Sequence, residues 1–185
     1  QHVNNVRQFG VSPVVALNIF GSDSAEEIAF MHDWAQKFDV DLAESTVFAH
    51  GGAGAKDLAE KVLANLTGQS TTLYDPAKGV EESIATIAQQ VYGASNVEYS
   101  VNARKDLNYL RECGWDQLPV CISKTQYSFS DDPSQLGAPK GHTLHVRKLL
   151  PRTGAGFVLA LTGEVMTMPG LPKRPAAEAI DISDD

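Results

Sequence analysis

The sequence predicts an α/β fold, a mostly parallel sheet of βα units flanked by helices, with antiparallel strands added in the C-terminal part. Two observations lead to this prediction. Short apolar runs alternate with helix-patterned segments through residues 11–114, which is typical of parallel βα units. After residue 133, strand-like runs follow one another through turns alone, which favours antiparallel pairing.

The first βα unit begins at residues 11–20, an apolar and β-branched run that predicts a central parallel strand, apolar on both faces. Residues 21–24 supply a turn and a helix cap, and Glu26 and Glu27 follow in the first helical turn, where the helix dipole favours carboxylates. Apolar residues at helical spacing predict the buried face of this helix: Ile28, Met31, Ala35 and Phe38.

The unit then repeats. Residues 45–49 predict a short strand, residues 50–54 a glycine loop, and residues 56–66 a helix with inward-facing Leu58, Val62 and Leu66. Residues 71–74 predict a third strand, and the helix after it is built on Val80, Ile84, Ile87 and Val91. Residues 99–112 predict another helix, which Gly114 ends in a left-handed cap.

A buried strand is predicted at residues 118–122, and a polar stretch continues from it to Asp132. Donors and acceptors at the carboxyl end of a strand in an α/β sheet indicate a ligand crevice. The alternative is a polar turn closed by Asp132 and Pro133, and a length of about ten residues weighs against it. The added antiparallel strands are predicted at 142–149, 156–161 and 164–168, followed by a rigid turn at 169–172 and a surface tail at 176–185.

Composition excludes several classes of protein. The net charge of −8 argues against nucleic acid as the main partner. No apolar run approaches the roughly 20 residues of a membrane span, and the first seven residues lack the apolar core of a secretory signal. We therefore expect a reduced, cytoplasmic protein with no membrane partner, in which the two cysteines, Cys113 and Cys121, are buried packing residues.

The glycine loop does not satisfy the Walker A pattern, because Ala55 precedes Lys56 where a glycine is needed and Asp57 follows it where serine or threonine is needed. What remains is either a backbone that a ligand can approach at a helix N-terminus or a glycine-eased turn. His142 and His145 stand three residues apart in a strand-like run and therefore face opposite sides, so no metal site is predicted.

Phe20 and Phe48 occupy equivalent places, each at or near the carboxyl end of a predicted strand. If the two strands are neighbours, both rings overhang one crevice and could hold a flat heterocycle by stacking. The alternative is that both are core phenylalanines, the usual fate of that residue. Further candidates for ligand-binding loops are Ser45, Gly51, Gly52 and Lys124.

Several stretches closely resemble the formate–tetrahydrofolate ligase family, also called formyltetrahydrofolate synthetase. They are residues 13–20, 50–54, 118–133, 154–157, 161–163 and 166–173. The resemblance runs through nearly the whole chain but covers only the carboxyl-terminal third of that enzyme, so a fragment is expected. Within the fragment, residues 1–133 would carry the βα units and the folate-pocket side, and residues 134–185 a strand-rich extension packed on them.

The resemblance implies an ATP-dependent reaction that joins formate to tetrahydrofolate through formyl phosphate and yields 10-formyltetrahydrofolate. It places the phosphate loop upstream, so ATP with magnesium would bind mostly outside this chain, which would be inactive alone; a monovalent cation is a further candidate. Phe20 and Phe48 fall on the two pterin-stacking positions, of which the second is usually tryptophan.

The implied partners are the amino-terminal region of the same enzyme and further subunits, as a homo-oligomer that is a tetramer in the parent. The alternative is a non-catalytic scaffold and assembly module with no ligand affinity by itself.

Overall fold

The computed structural model describes residues 1–66, 68–163, 174–175 and 178. Its strands are β1 (Val14–Asn18), β2 (Asp41–Ser45), β3 (Asn96–Tyr99), β4 (Val120–Ser123), β5 (Thr143–Arg152) and β6 (Phe157–Thr162). Its α-helices are α1 (His2–Arg7), α2 (Ala25–Lys37), α3 (Val47–His50), α4 (Lys56–Ala64), α5 (Val80–Gln90) and α6 (Val101–Glu112). Short 3₁₀ helices span Gly51–Ala55 and Pro76–Lys78.

The strands form two sheets, which confirms the predicted α/β class. β1 and β2 make a two-stranded parallel sheet, and the other four strands are ordered β3-β5-β6-β4. In the larger sheet β3 pairs with β5 and β4 with β6 in parallel, whereas β5 and β6 are antiparallel. β3 is a strand that sequence analysis missed, because its four residues lie directly before a strongly helical segment.

The order of strand, turn and capped helix in the first βα unit is confirmed, and the burial predicted for its helix is confirmed in part. Ser24 and Glu27 form the capping box that starts α2, and Ala35 is buried. Phe38, predicted to be inward, is 49% exposed. Among the described residues β1 pairs with β2 alone and Ala16 is exposed, so the expectation of a central strand covered on both faces is wrong.

The second unit is displaced from its predicted position. The strand is Asp41–Ser45 rather than residues 45–49, and Val47–His50 is a short helix. Charged residues in β2 hide its pattern, yet the adjacent Leu42 and Ala43 are both buried, so both faces of this strand are covered. Two of the residues predicted to face inward are exposed: Val62 on α4, and Leu66, which lies beyond the end of that helix.

The predicted third strand, residues 71–74, is wrong, because this segment has no strand geometry. The Thr71 N–H donates to the Phe9 carbonyl instead. The Tyr74 hydroxyl accepts from the Val120 N–H at 3.0 Å, on the edge of β4. The side chain of Tyr74 therefore reaches the strand that its backbone does not pair with.

The helices before and after β3 are confirmed. α5 buries Val80 and Ile84, and α6 is followed by Gly114, whose φ of 71° lies in the left-handed region. Two hydrogen bonds satisfy carbonyls at the C-terminus of α6. The Gly114 N–H donates to the Arg111 carbonyl, and the Trp115 N–H donates to the Leu110 carbonyl. These helices pack on the four-stranded sheet over one apolar core, formed by Val80, Ile84, Ala103, Leu107, Leu110, Val146, Leu149, Val158 and Ala160.

β4, β5 and β6 confirm the strands predicted at 118–122, 142–149 and 156–161. The predicted strand at 164–168, the turn at 169–172 and, apart from Glu178, the tail at 176–185 lie outside the described residues. Cys121 is exposed and Cys113 half-buried, so the prediction of two buried cysteines is wrong. None of the helices in the described part of the chain is long and apolar enough to cross a membrane.

Candidate functional site

The carboxyl ends of β1 and β2 lie side by side. Their parallel register pairs Asn18 with Ser45, the last residue of each strand. The Ile19 N–H donates to the Ser45 carbonyl at 2.9 Å and extends the ladder by one bond. The two segments that follow, which carry Phe20 and Phe48, therefore start from adjacent points at the same edge of the sheet.

Phe20 stands in a tight turn between β1 and α2. The Asp23 N–H donates to the Phe20 carbonyl at 3.0 Å, and the Phe20 N–H donates to the Asp23 carboxylate at 2.8 Å. The next residue, Ser24, caps α2 by accepting from the Glu27 N–H. The Glu27 carboxylate accepts in return from the Ser24 N–H and hydroxyl, and these bonds lower the pKa of Glu27.

Phe48 lies in α3, whose single turn is closed by the Thr46 carbonyl. That carbonyl accepts from the Ala49 N–H at 3.0 Å and from the His50 N–H at 2.9 Å. The glycine loop that follows folds back, so that the Thr46 N–H donates to the Gly54 carbonyl at 3.1 Å. The side chain of Phe48 is 87% exposed, which means that the helix presents the ring to solvent.

The two rings meet. Their centroids are 5.7 Å apart and their planes are inclined by 53°. Phe20 is 48% exposed, so neither ring belongs to a core, and the alternative of two core phenylalanines is wrong. A flat ring held between two parallel aromatic faces needs contacts of roughly 3.5 Å on each side, or roughly 7 Å between the faces. The pair as it stands offers outer faces and edges rather than an open slot.

The other residues predicted for ligand-binding loops near this pair differ in how accessible they are to a ligand. Ser45 is buried, and its carbonyl is engaged by Ile19. Gly51 and Gly52 are exposed, and a Cβ built on either would meet nothing within 4 Å. The backbone at these two glycines is therefore open to a ligand, in the loop that directly follows the helix of Phe48.

Lys124 lies in the other half of the molecule, after β4. Its ammonium donates to the carbonyls of Thr125, at 3.0 Å, and Ser128. The same nitrogen lies 5.2 Å from the ring centroid of Tyr92 and 5.3 Å from that of Phe129. Burial lowers the pKa of this lysine. These contacts hold the loop after β4, and they involve neither Phe20 nor Phe48.

The polar stretch after β4 uses many of its donors and acceptors internally. The hydroxyls of Ser128 and Ser130 are buried and 2.9 Å apart, and the Ser130 hydroxyl donates to the Asp132 carbonyl. The Asp131 carboxylate accepts from the His145 N–H and lies 2.9 Å from Nδ1 of the same histidine. These bonds give the stretch the character of an ordered loop fastened to β5. Over the described residues, no group of three or more His, Cys, Asp or Glu side chains is arranged to hold a metal ion.

Comparison with known proteins shows the family. The family model described as formate–tetrahydrofolate ligase matches residues 1–185. Among its relatives, formate–tetrahydrofolate ligase of Corynebacterium diphtheriae is 60% identical over the whole chain, and that of Paenarthrobacter aurescens is 52% identical. The ligase of Staphylococcus aureus is 46% identical. In each case the chain spans 34% of the relative's length. This chain belongs to the formate–tetrahydrofolate ligase family.

Proposed function

We propose that this chain is the folate-binding part of an ATP-dependent ligase that joins formate to tetrahydrofolate and yields 10-formyltetrahydrofolate. The family to which the chain belongs supports the reaction class. The observation that carries the proposal is the contact between Phe20 and Phe48 at the carboxyl ends of two parallel strands. Ligands of open α/β sheets bind at this edge, and exposed aromatic faces suit a flat pterin.

The pterin would stack on this pair in one of two ways. It lies against the outer face of Phe48, or it enters between the rings as one of them rotates away. The 87% exposure of Phe48 leaves that ring free to turn. The open backbone at Gly51 and Gly52 would lie beside the bound ligand and offer it hydrogen bonds.

The phosphoryl chemistry would take place mostly outside this chain. A formate oxygen attacks the γ-phosphorus of ATP, ADP leaves, and formyl phosphate forms; N10 of the folate then takes the formyl group and phosphate leaves. Cradling these phosphates with magnesium needs a hydroxyl after the loop lysine, and Asp57 stands there instead. The residues present do not fit that role, so we assign no step of phosphate transfer to them.

Residues 1–133 would carry the folate side and residues 134–185 an extension packed on it, which the pairing of β5 and β6 with β3 and β4 supports. The amino-terminal region of the same enzyme would be the partner of this chain, and the parent enzyme would be a homo-oligomer, a tetramer, in the cytoplasm. A monovalent cation would be a further constituent.

A second candidate function is a scaffold and assembly module without ligand affinity. The closed contact of the two rings favours it, because no slot for a pterin exists between them. Titration of tetrahydrofolate against the 185-residue chain separates the two candidates. Saturable binding that weakens in Phe20→Ala supports the folate pocket, and Phe38→Ala is the matched control because Phe38 has nearly the same exposure, 49% against 48%. Absence of binding to the unsubstituted chain supports the scaffold.

A further inference from the structure

The backbone that carries each ring of the aromatic pair is fixed by contacts with a residue outside the pair. We call each of these sets of contacts a backbone lock. For Phe20 the lock is Asp23, which bonds both backbone polar groups of the phenylalanine, the N–H through its carboxylate at 2.8 Å and the carbonyl through its own N–H at 3.0 Å. Since Phe20 is an exposed residue at the end of a strand, these two bonds fix the direction in which its ring leaves the backbone.

For Phe48 the lock is the close approach of Gly54 to Thr46. A Cβ at Gly54 would lie 2.6 Å from the carbonyl carbon and the hydroxyl oxygen of Thr46 and 2.7 Å from its carbonyl oxygen. That carbonyl is the group that closes α3, the helix that carries Phe48. Any side chain at Gly54 must therefore displace the start of α3. In the same loop Gly51 and Gly52 have open space around them, so the steric demand falls on Gly54 alone of the three.

We propose that Asp23 and Gly54 are positioning residues for the folate-stacking pair, a role that rests on the proposed function. The carboxylate of Asp23 fixes the backbone conformation at Phe20. Because Gly54 has no side chain, α3 can begin at the position from which Phe48 contacts Phe20. The glycine loop, which lacks the residues of a phosphate loop, has a structural purpose in this arrangement. It allows the backbone contact that orients an aromatic ring.

Nuclear Overhauser effects between the ring protons of Phe20 and Phe48 test the positioning directly in the 185-residue chain. They are expected in the unsubstituted protein, because the centroids are 5.7 Å apart. We expect Asp23→Ala and Gly54→Ala to weaken or abolish them. Asp23→Asn should retain them, since its amide oxygen accepts the same bond from the Phe20 N–H. Gly154→Ala is the control for Gly54→Ala, because a Cβ at Gly154, unlike one at Gly54, would meet nothing within 4 Å.

The second measurement is the Michaelis constant for tetrahydrofolate in the full-length ligase that contains this chain. Asp23→Ala is expected to raise it about 2- to 10-fold, the range of one misplaced aromatic contact, while kcat and the constants for ATP and formate stay unchanged. Asp23→Asn should restore the original value, an outcome that general loss of stability would not produce.

The outcomes separate this inference from the proposed function. The positioning role is overturned if the nuclear Overhauser effects between the two rings are absent in the unsubstituted chain. It is also overturned if these effects are unchanged in both Asp23→Ala and Gly54→Ala. If Gly54→Ala does not fold, the comparison of Asp23→Ala with Asp23→Asn decides. A Phe20→Ala ligase with an unchanged constant for tetrahydrofolate overturns the proposed function. If Phe20→Ala raises that constant and Asp23→Ala does not, the proposed function stands and the positioning role is wrong.

Discussion

Phe20 and Phe48 hold their ring centroids 5.7 Å apart at the carboxyl edge of the two-stranded sheet, and both rings remain exposed. The contact follows from the register of the strands, which pairs Asn18 with Ser45 and so starts both following segments from neighbouring points. Exposed aromatic surface at a strand edge is costly in water, and a flat ligand that covers it gains both burial and stacking.

The aromatic pair predicts a selective effect on folate. In the full-length ligase, Phe20→Ala and Phe48→Ala should each raise the Michaelis constant for tetrahydrofolate about 2- to 12-fold, because stacking contributes roughly 0.5–1.5 kcal/mol for each ring. The constants for ATP and formate should change little. Phe48→Trp should be tolerated, since indole keeps a stacking face. Steady-state kinetics for each substrate measure these effects, and Phe38→Ala is the control. A well-folded Phe20→Ala enzyme with unchanged folate kinetics would contradict the prediction.

The 185-residue chain alone should not catalyse the reaction. We expect neither ATP hydrolysis nor formation of 10-formyltetrahydrofolate, because Lys56 is followed by Asp57 and the loop lacks a hydroxyl for magnesium. Phosphate release and product formation are the measurements, with the full-length ligase as the positive control. Turnover by a sample that is free of full-length enzyme would show that the prediction is wrong.

We expect Lys124 to stabilise the folded chain. Lys124→Met removes two bonds from a charged donor to carbonyls and two contacts with aromatic faces. Hydrogen bonds to charged groups contribute roughly 1.5–3 kcal/mol, and the partial exposure of Lys124 places the expected loss near the lower end, at about 1.5 kcal/mol. Urea unfolding of the 185-residue chain measures it.

The control for this substitution is Lys105→Met, on an exposed position of α6, which should leave the unfolding free energy nearly unchanged. An effect of Lys124→Met on activity instead of stability would indicate a role in the active site. If Lys124→Met leaves stability intact and lowers the activity of the full-length ligase, the polar stretch after β4 lines the active crevice, as its sequence position suggests.

The capping box of α2 should make part of the stability of the fold depend on pH, because that part is lost at low pH. The pKa of Glu27 is lowered in the folded state by its bonds with Ser24. A carboxylate with a lowered pKa stabilises the fold above its unfolded pKa, about 4.3, and loses that contribution as the pH falls through its folded value. Thermal unfolding of the chain and of Glu27→Gln should therefore differ at pH 7 and converge in acid. Glu26→Gln, in the same helical turn, is the control. A difference that persists below both pKa values would contradict the prediction.

Local sequence determined the elements whose signals are local. The capping box at Ser24, the left-handed cap at Gly114 and the apolar periodicity of α5 each act within a few residues, so α2, α5 and α6 could be predicted from the chain alone. The same holds for β4, β5 and β6, whose apolar runs are bounded by turns. For the candidate site, sequence identified Phe20 and Phe48 and the strand-end position that makes them neighbours, although Phe48 lies on a helix rather than at the end of its own strand.

Tertiary structure decided whatever depends on partners distant in the chain. β2 carries Asp41 and Glu44 and becomes a strand because it pairs with β1 and is packed on both faces, an environment that its own pattern does not reveal. Residues 71–74 have strand propensity but pair with none of the described strands. The roles of Lys124 and Gly54 likewise depend on where backbone carbonyls lie after folding. Propensity is set by a residue and its immediate neighbours, whereas strand pairing, ring contacts and steric locks are set by positions that only the folded chain brings together.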